Sequence, residues 1–394
     1  MTLPAPSLRQ DSAAGLRLAI CTDTYLPQVN GVARTIDRLV HAVESRGGVV
    51  HVVTVADPDA VPEATVDRIA AVPFWAYPQL RVAAPAVLAA RKSLERFGPT
   101  LIHAATPFGV GLGARSAARQ MGVPLVTSYH THFSAYLAHY RLDALDAVSW
   151  PFLRWFHNSG LRTFAPTETV RQELVEQGFA NTRVWARGVD AVRFSPQHRS
   201  ARWRESLGIH DDELVALYVG RLAPEKGIDV AVAAMHQVEQ QLPGRVRLVL
   251  TGDGPAEERM RATAPAGTIF TGRLSGEALS TMYASADLFV FPSATETFGN
   301  VVLEALASGL AVIAPDVGPT TEFAHVGTAS LHVAGRADSL AARIIALATD
   351  DTARVRLARA GRLEALRHGW EAIFDQLVED YQEVNGVSPR SIAG

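Results

Sequence analysis

The chain has 394 residues, 48% hydrophobic and 20% charged, with a formal net charge of -3 and a pI near 6.5. That balance provides no basic footprint for nucleic acid, and the length exceeds a single ordinary core, so two domains are expected. There is no apolar run of the roughly 18 residues a membrane span needs and no secretory apolar core behind a basic start. The one cysteine, Cys21, lies in an apolar run where it packs as a small hydrophobe, so a reducing cytoplasm is expected.

Residues 1–14 read as a loose tail. Short β-branched runs then alternate with longer helical patterns: LRLAIC from 16, VVHVVTV from 49, TLIHA from 100, VPLVTSY from 123, RTFAP from 162 and TRVWA from 182. This is an α/β rhythm with a parallel sheet. It restarts with LVALYVG at 214, VRLVLTG at 246, TIFTG at 268, DLFVF at 287, LAVIAP at 310 and ASLHVAG at 329. Two doubly wound, Rossmann-like domains in tandem follow, one over 15–190 and one over 206–369. The stretch 187–205 is polar, carries Pro196 and has no clear period, so 191–205 are read as a linker. A last amphipathic helix, about 370–385, can pack on either domain.

In open α/β sheets ligands bind beyond the carboxyl ends of the strands, and the distinctive loops here follow strands. Pro27 to Val32, with Asn30 and Gly31, follows the first strand and precedes a helix starting near Ala33. Gly31 either lets main-chain amides face a phosphate or makes a turn. His130 and His132 follow another strand. With no third ligand at informative spacing, metal is not expected, and His130 is read as contacting a sugar hydroxyl or a carbonyl, against satisfied loop histidines. Gly220 to Gly227 follows the first strand of the second half. Its Arg221 can fork onto phosphate oxygens and Lys226 can add a point charge. Gly252 permits close backbone approach or a tight turn, and Gly272 brings main chain near a base or ribose.

The most informative stretch is Glu296 to Glu304, ETFGNVVLE. DLFVF ends at Pro292 and Ser293, and VVLEALASG reads as a helix stopped by Gly309. Glu296 then lies in the loop, while Phe298, Gly299 and Asn300 lie at the helix start, where free N–H groups favour a phosphate. Glu304 falls about one turn inside. A Glu pair at this spacing is usually a solvated loop residue and a surface helix position. Here the neighbours are apolar or small, and Glu304 interrupts a face that would otherwise pack. Carboxylates only accept hydrogen bonds, so the pair suits a hydroxyl-rich ligand flanking a diphosphate.

Together, PQVNGV, SYHTHF, GRLAPEKG, TGDGP and TETFGNVVLEALASG make the chain, over roughly residues 16–385, resemble the family 4 retaining glycosyltransferases of the GT-B fold. In that α/β fold two Rossmann-like domains face a cleft. The resemblance is to the subgroup holding GDP-mannose-dependent α-mannosyltransferases and sulfoquinovosyl diacylglycerol synthases. It implies that Arg221 and Lys226 hold the donor diphosphate, Glu304 the ribose, and Glu296 with the backbone at Phe298, Gly299 and Asn300 the sugar and phosphate. It also implies that His130 contacts the sugar, Gly31 approaches phosphate, and the Leu274 main chain meets the base. Asn30, Gly220 and Gly252 are assigned to the same nucleotide-sugar set, and the last helix is expected to return to the first domain.

The implied reaction moves a hexose, mannose from GDP-mannose, to a hydroxyl of a lipid or glycolipid, with retention. No resident cofactor or metal is expected, the nucleotide sugar being a co-substrate. With no evident nucleophile opposite the leaving group, same-face attack is favoured, the departing phosphate accepting the acceptor's proton. Transfer from a UDP-sugar to diacylglycerol is the alternative. Trp150 to Phe156 reads either as domain core or as a peripheral contact with the inner face of the membrane, and Arg91, Lys92 and Arg96 either attract anionic lipid or form a solvated face. A glycoside hydrolase, which also uses two carboxylates, is disfavoured by Arg221 and Lys226. A phosphorylase, an epimerase or a non-catalytic nucleotide-sugar binder can share the architecture.

Overall fold

A computed structural model describes residues 11–28, 30–74, 77–83, 86–130, 146–294 and 296–386. The chain divides into two compact units, residues 1–187 with 371–394, and residues 188–370.

Unit one carries a seven-stranded sheet of β1 (Arg17–Cys21), β2 (Val49–Val55), β3 (Val66–Ile69), β6 (Leu101–Ala104), β7 (Leu125–Ser128), β8 (Arg162–Ala165) and β9 (Thr182–Val184). Its order is β3-β2-β1-β6-β7-β8-β9 and every pairing is parallel. The chain moves outward from β1 to β3, then resumes at β6 on the other side of β1. The crevice where the winding reverses therefore opens beyond β1 and β6. A small antiparallel pair, β4 (Ala71–Phe74) and β5 (Tyr77–Ala83), lies between. Cys21 is buried in the core with Ala19, Val53, Ile102 and Phe156.

Unit two carries β10 (Leu214–Val219), β11 (Val246–Thr251), β12 (Ile269–Gly272), β13 (Leu288–Val290), β14 (Ala311–Pro315) and β15 (Ser330–His332) in the parallel order β12-β11-β10-β13-β14-β15. Alternate residues face opposite sides, as the strand period requires. Val215, Leu217, Phe289 and Val312 pack with helices Gly276–Ser285 and Asn300–Ala307. Leu214, Ala216, Leu288 and Ile313 pack with helices Ile228–Gln241 and Ala337–Thr349. Both faces are covered, so the sheet is doubly wound, and its switch point lies between β10 and β13.

All twelve expected strands are present, and β3, β4 and β5 are additional. The segment expected as a linker differs from that reading. Ser195 caps the turn Pro196–His198, Ser200 caps the helix Ala201–Ser206, and Phe194 is in the core of unit two. Arg204, buried, donates to the Ser285 and Glu213 carbonyls and to Asp287, which pins the segment down. Of the tail, Ala13 is buried and its N–H bonds the Arg46 carbonyl, while residues 1–10 lie outside the described residues. The last helix, Trp370–Asn385, belongs to unit one from Glu371 onward. The buried Arg46 holds it through Glu371 at 2.8 Å and Asp375 at 2.7 Å, and Arg162 through Asp380 and Glu383.

Candidate functional site

In unit two the loops after β10 and β13 emerge on either side of the switch point. The first, Gly220 to Gly227, turns through the short helix Pro224–Lys226 and ends at Gly227, whose φ of 66° is left-handed. The second, after β13, carries Ser293 and Glu296. Lys226 Nζ donates to Glu296 Oε1 at 2.6 Å, and Ser293 Oγ donates to the same oxygen at 3.3 Å. The lysine and glutamate side chains are only 19% and 22% exposed, so the pair is poorly screened. Arg221 Nη2 donates to Glu225 Oε1 at 3.0 Å. Each cation of the loop thus has its own carboxylate.

The Glu296 loop leads to the helix Asn300–Ala307, entered through Gly299 at φ 91°. A Cβ there would lie 2.6 Å from Thr320 Cγ2, so backbone conformation and space both require glycine. Phe298 is buried against Phe323, with ring centroids 5.0 Å apart, and this anchors the loop to the core. Asn300 is the first helical residue, so the helix start lies at Phe298 to Asn300, where the sequence reading placed it, and follows the Glu296 loop. Glu304 is half-buried one turn on. Its Oε2 accepts from the fully buried Tyr283 Oη at 3.0 Å, a partner the sequence analysis missed.

The glycines after β10 and β11 face each other. A Cβ on Gly252, at φ 129°, would lie 1.9 Å from the Gly220 carbonyl oxygen. The two loops are laced by Leu222 N–H to Asp253 O and Ala256 N–H to Leu222 O, each at 2.8 Å, and Gly252 N–H bonds Gly272 O at 2.9 Å. The close approach at Gly252 is therefore to the neighbouring loop. Leu274, two residues after Gly272, packs half-buried against the unit two core.

In unit one Asn30 caps the helix Gly31–Glu44. Its Oδ1 accepts from Ala33 N at 2.8 Å and its Nδ2 donates to Thr24 Oγ1 at 2.7 Å. The helix starts at Gly31, two residues before the expected Ala33. Beside it the buried Asp23 accepts from Thr106 Oγ1 at 2.6 Å and from Val110 N at 3.0 Å, tying the loops beyond β1 and β6 together. Burial pushes its carboxyl above the usual range.

His130 follows β7. Its Nε2 meets Ser128 Oγ at 2.7 Å, and its Nδ1 meets Arg187 Nη2 at 2.8 Å. Its ring lies edge-on to Trp185, 5.7 Å between centroids. Burial, followed by the Arg187 charge, holds the imidazole well below the usual histidine range, so it is neutral. Arg187 is itself buried, bonded to the Trp185 carbonyl at 2.7 Å, and burial lowers it to about 9. The partner histidine considered for metal, His132, lies outside the described residues. Among the described residues no group of three His, Cys, Asp or Glu is placed to hold a metal ion.

The aromatic segment is mostly core. Phe156 is fully buried, and Trp150 and Phe152 pack against Tyr129, Leu153 and Phe179. Trp155 is 49% exposed, with the Arg115 guanidinium 3.9 Å above its ring. Arg91 pairs with Glu95 and Arg96 with Asp67, both at 2.6 Å, as on an ordinary solvated helix face. Among the described residues no helix is long and apolar enough to cross a membrane.

Comparison with known proteins gives the family. Residues 29–193 match the profile described as Glycosyltransferase Family 4, and residues 199–364 that described as Glycosyl transferases group 1. A GDP-mannose-dependent alpha-mannosyltransferase of Mycobacterium tuberculosis is 34% identical over 94% of this chain and 98% of its own length. The sulfoquinovosyl transferase SQD2 of Arabidopsis thaliana is 33% identical over 71% of this chain and 56% of its own. Among solved structures, the sucrose-phosphate synthase from Thermosynechococcus elongatus has a TM-score of 0.78 at 23% identity, over 94% of this chain and 99% of its own, a likeness of GT-B fold. With two Rossmann-like units and a full-length relative at 34% identity, the chain belongs to glycosyltransferase family 4 and is a hexosyltransferase.

Proposed function

We propose that the protein transfers mannose from GDP-mannose to a hydroxyl of a lipid or glycolipid, with retention at the anomeric carbon and no resident cofactor. The observation that carries this reading is the convergence of Arg221, Lys226, Glu296 and the helix start at Gly299 and Asn300 around one switch point. Breaking the anomeric bond puts negative charge on the diphosphate. Arg221, Lys226 and the helix-start amides meet that charge as it develops, so they stabilise the transition state more than the bound donor. Glu296 accepts from the sugar hydroxyls and shares Lys226 with the phosphate. Glu304, oriented by Tyr283, accepts from the ribose, and the Leu274 main chain lies beside the base. In unit one His130 contacts the sugar and Gly31 a phosphate oxygen, while Asn30 fixes the helix that carries Gly31. The acceptor attacks from the face the diphosphate leaves, and the departing phosphate takes its proton.

The GDP and mannose assignments rest on the full-length mannosyltransferase relative. UDP-sugar transfer is the second reading, supported by the sulfoquinovosyl transferase and by an alpha-monoglucosyldiacylglycerol synthase of Streptococcus pneumoniae, 31% identical over 76% of the chain. We place the enzyme in the cytoplasm, with Trp155 and Arg115 as its peripheral contact with the inner membrane face. Calorimetric titration with GDP, UDP and ADP, repeated on Lys226→Ala, tests the donor assignment. Selective GDP binding that weakens in the variant supports it, and UDP selectivity moves it to the second reading. Absence of binding to any of the three removes the donor-site assignment.

A further inference from the structure

The imidazole of His130 is the near end of a chain of buried polar groups that runs to the last helix of the protein. Ser128 Oγ, 2.7 Å from His130 Nε2, is also 2.8 Å from His103 Nε2. His103 Nδ1 is 2.6 Å from Tyr381 Oη, a residue 278 positions away. His103 and Tyr381 are 0% exposed, Ser128 1% and Arg187 5%. Trp185 lies edge-on to both imidazoles, with centroids 5.7 Å from each.

The direction of every bond in this chain follows from one fixed donor. A guanidinium cannot accept, so Arg187 donates and His130 Nδ1 must carry the lone pair. The neutral His130 then bears its proton on Nε2 and donates to Ser128 Oγ. The serine hydroxyl turns its own proton to His103 Nε2. His103, neutral with burial lowering it to about 3, bears its proton on Nδ1 and donates to Tyr381 Oη. The two histidines are held in opposite tautomers, and no member can reverse without placing two donors or two lone pairs face to face.

We propose that Tyr381 and His103 are positioning residues for glycosyl transfer, which turn the Ser128 oxygen onto His130 Nε2–H and so fix the ring orientation of the tautomer that Arg187 sets. This rests on the assignment of His130 to the transferred sugar. In consequence His130 serves as a rigid, neutral wall of the sugar site, and the last helix contributes a hydroxyl that never touches substrate.

Ring nitrogen NMR of the full chain labelled with 15N-histidine tests the proposal, with the His130 and His103 signals assigned by their loss in His130→Gln and His103→Gln. The expected result is an Nε2–H tautomer for His130 and an Nδ1–H tautomer for His103. In Tyr381→Phe the ring stays and the acceptor goes. The His103 signals should then shift toward a tautomer mixture, those of His130 should stay Nε2–H but move as Ser128 turns, and kcat should fall about tenfold or more, with the Kd for GDP within about twofold of the parent value. A purely structural role would lower the melting temperature and leave both the His103 tautomer and kcat, measured well below melting, as they were. Equal tautomers in the parent protein, or unchanged His103 and His130 signals and kcat in Tyr381→Phe, would overturn the proposal. If Tyr381→Phe fails to fold, the parent tautomers alone decide. An enzyme with opposite tautomers that transfers no sugar would count against the functional reading and leave the relay intact.

Discussion

Lys226 and Glu296, 70 residues apart in the chain, meet at 2.6 Å across the switch point of unit two. The lysine is therefore partly neutralised before any ligand arrives, and a diphosphate has to share it with the carboxylate. Glu296→Gln removes that competitor and keeps the shape. The expected outcome is GDP binding tightened by about three- to tenfold, the scale of one poorly screened ion pair, with transfer slowed because the sugar exchanges a charged acceptor for a weaker neutral one. Calorimetry on GDP and initial rates with donor sugar read the two effects separately. Weaker GDP binding in Glu296→Gln would show that the carboxylate orients Lys226 more than it competes.

Tyr283 spends its hydroxyl on Glu304, 3.0 Å away. Tyr283→Phe should raise the Kd for GDP about three- to tenfold, the value of one hydrogen bond to a charged acceptor, with little change in saturated kcat. Glu304→Ala should cost more, and adding Tyr283→Phe to it should cost little further, because both act through the ribose contact. Independent, additive losses would separate Tyr283 from nucleotide binding.

Gly299 adopts φ 91°, and a Cβ there would meet Thr320 Cγ2 at 2.6 Å. Gly299→Ala should cost about 1–3 kcal/mol in urea unfolding from backbone strain and crowding together. Thr320→Ser in the same chain removes the methyl and should recover part of the loss, leaving the strain. A double variant no more stable than Gly299→Ala would mean that the methyl contact carries none of the cost.

Two buried histidines set a pH dependence. His103 and His157 are lowered by burial to about 3, whereas an unfolded histidine titrates near 6.5. Between these values the unfolded chain binds more protons, so stability falls as pH falls, by up to about 1.4 kcal/mol per pH unit for each group. The contribution is complete above pH 6.5 and gone near 3. Thermal melts should show a steady decline on acidification. A melting temperature unchanged between neutral pH and about pH 4 would contradict it.

The central strands were legible because a parallel sheet covered on both faces demands continuous apolar runs, and LVALYV and VRLVLT supply them. The strands β3 to β5 were not, because Asp67, Arg68, Pro73 and Pro78 interrupt any such run. The loops after β10 and β13 were readable from glycines and charges placed after strands. Their pairings were not, since nothing local to Lys226 points to Glu296, or local to His130 to Arg187, 57 residues on. A histidine inside the apolar strand LIHA was the one visible sign of the relay, because a buried imidazole needs partners. The misread linker carried its own signals, Ser195 before Pro196 and Ser200 before a helical turn, both of which cap.

The most direct test supplies GDP-mannose labelled with 13C at the anomeric carbon, together with diacylglycerol or a glycosylated diacylglycerol in vesicles, and follows the labelled carbon by NMR in the presence of a chelator. The account predicts a mannolipid with the α configuration of the donor, formed at an undiminished rate without divalent metal and lost in Lys226→Ala. A β-linked product, a strict requirement for metal, or transfer only from a UDP-sugar would contradict it.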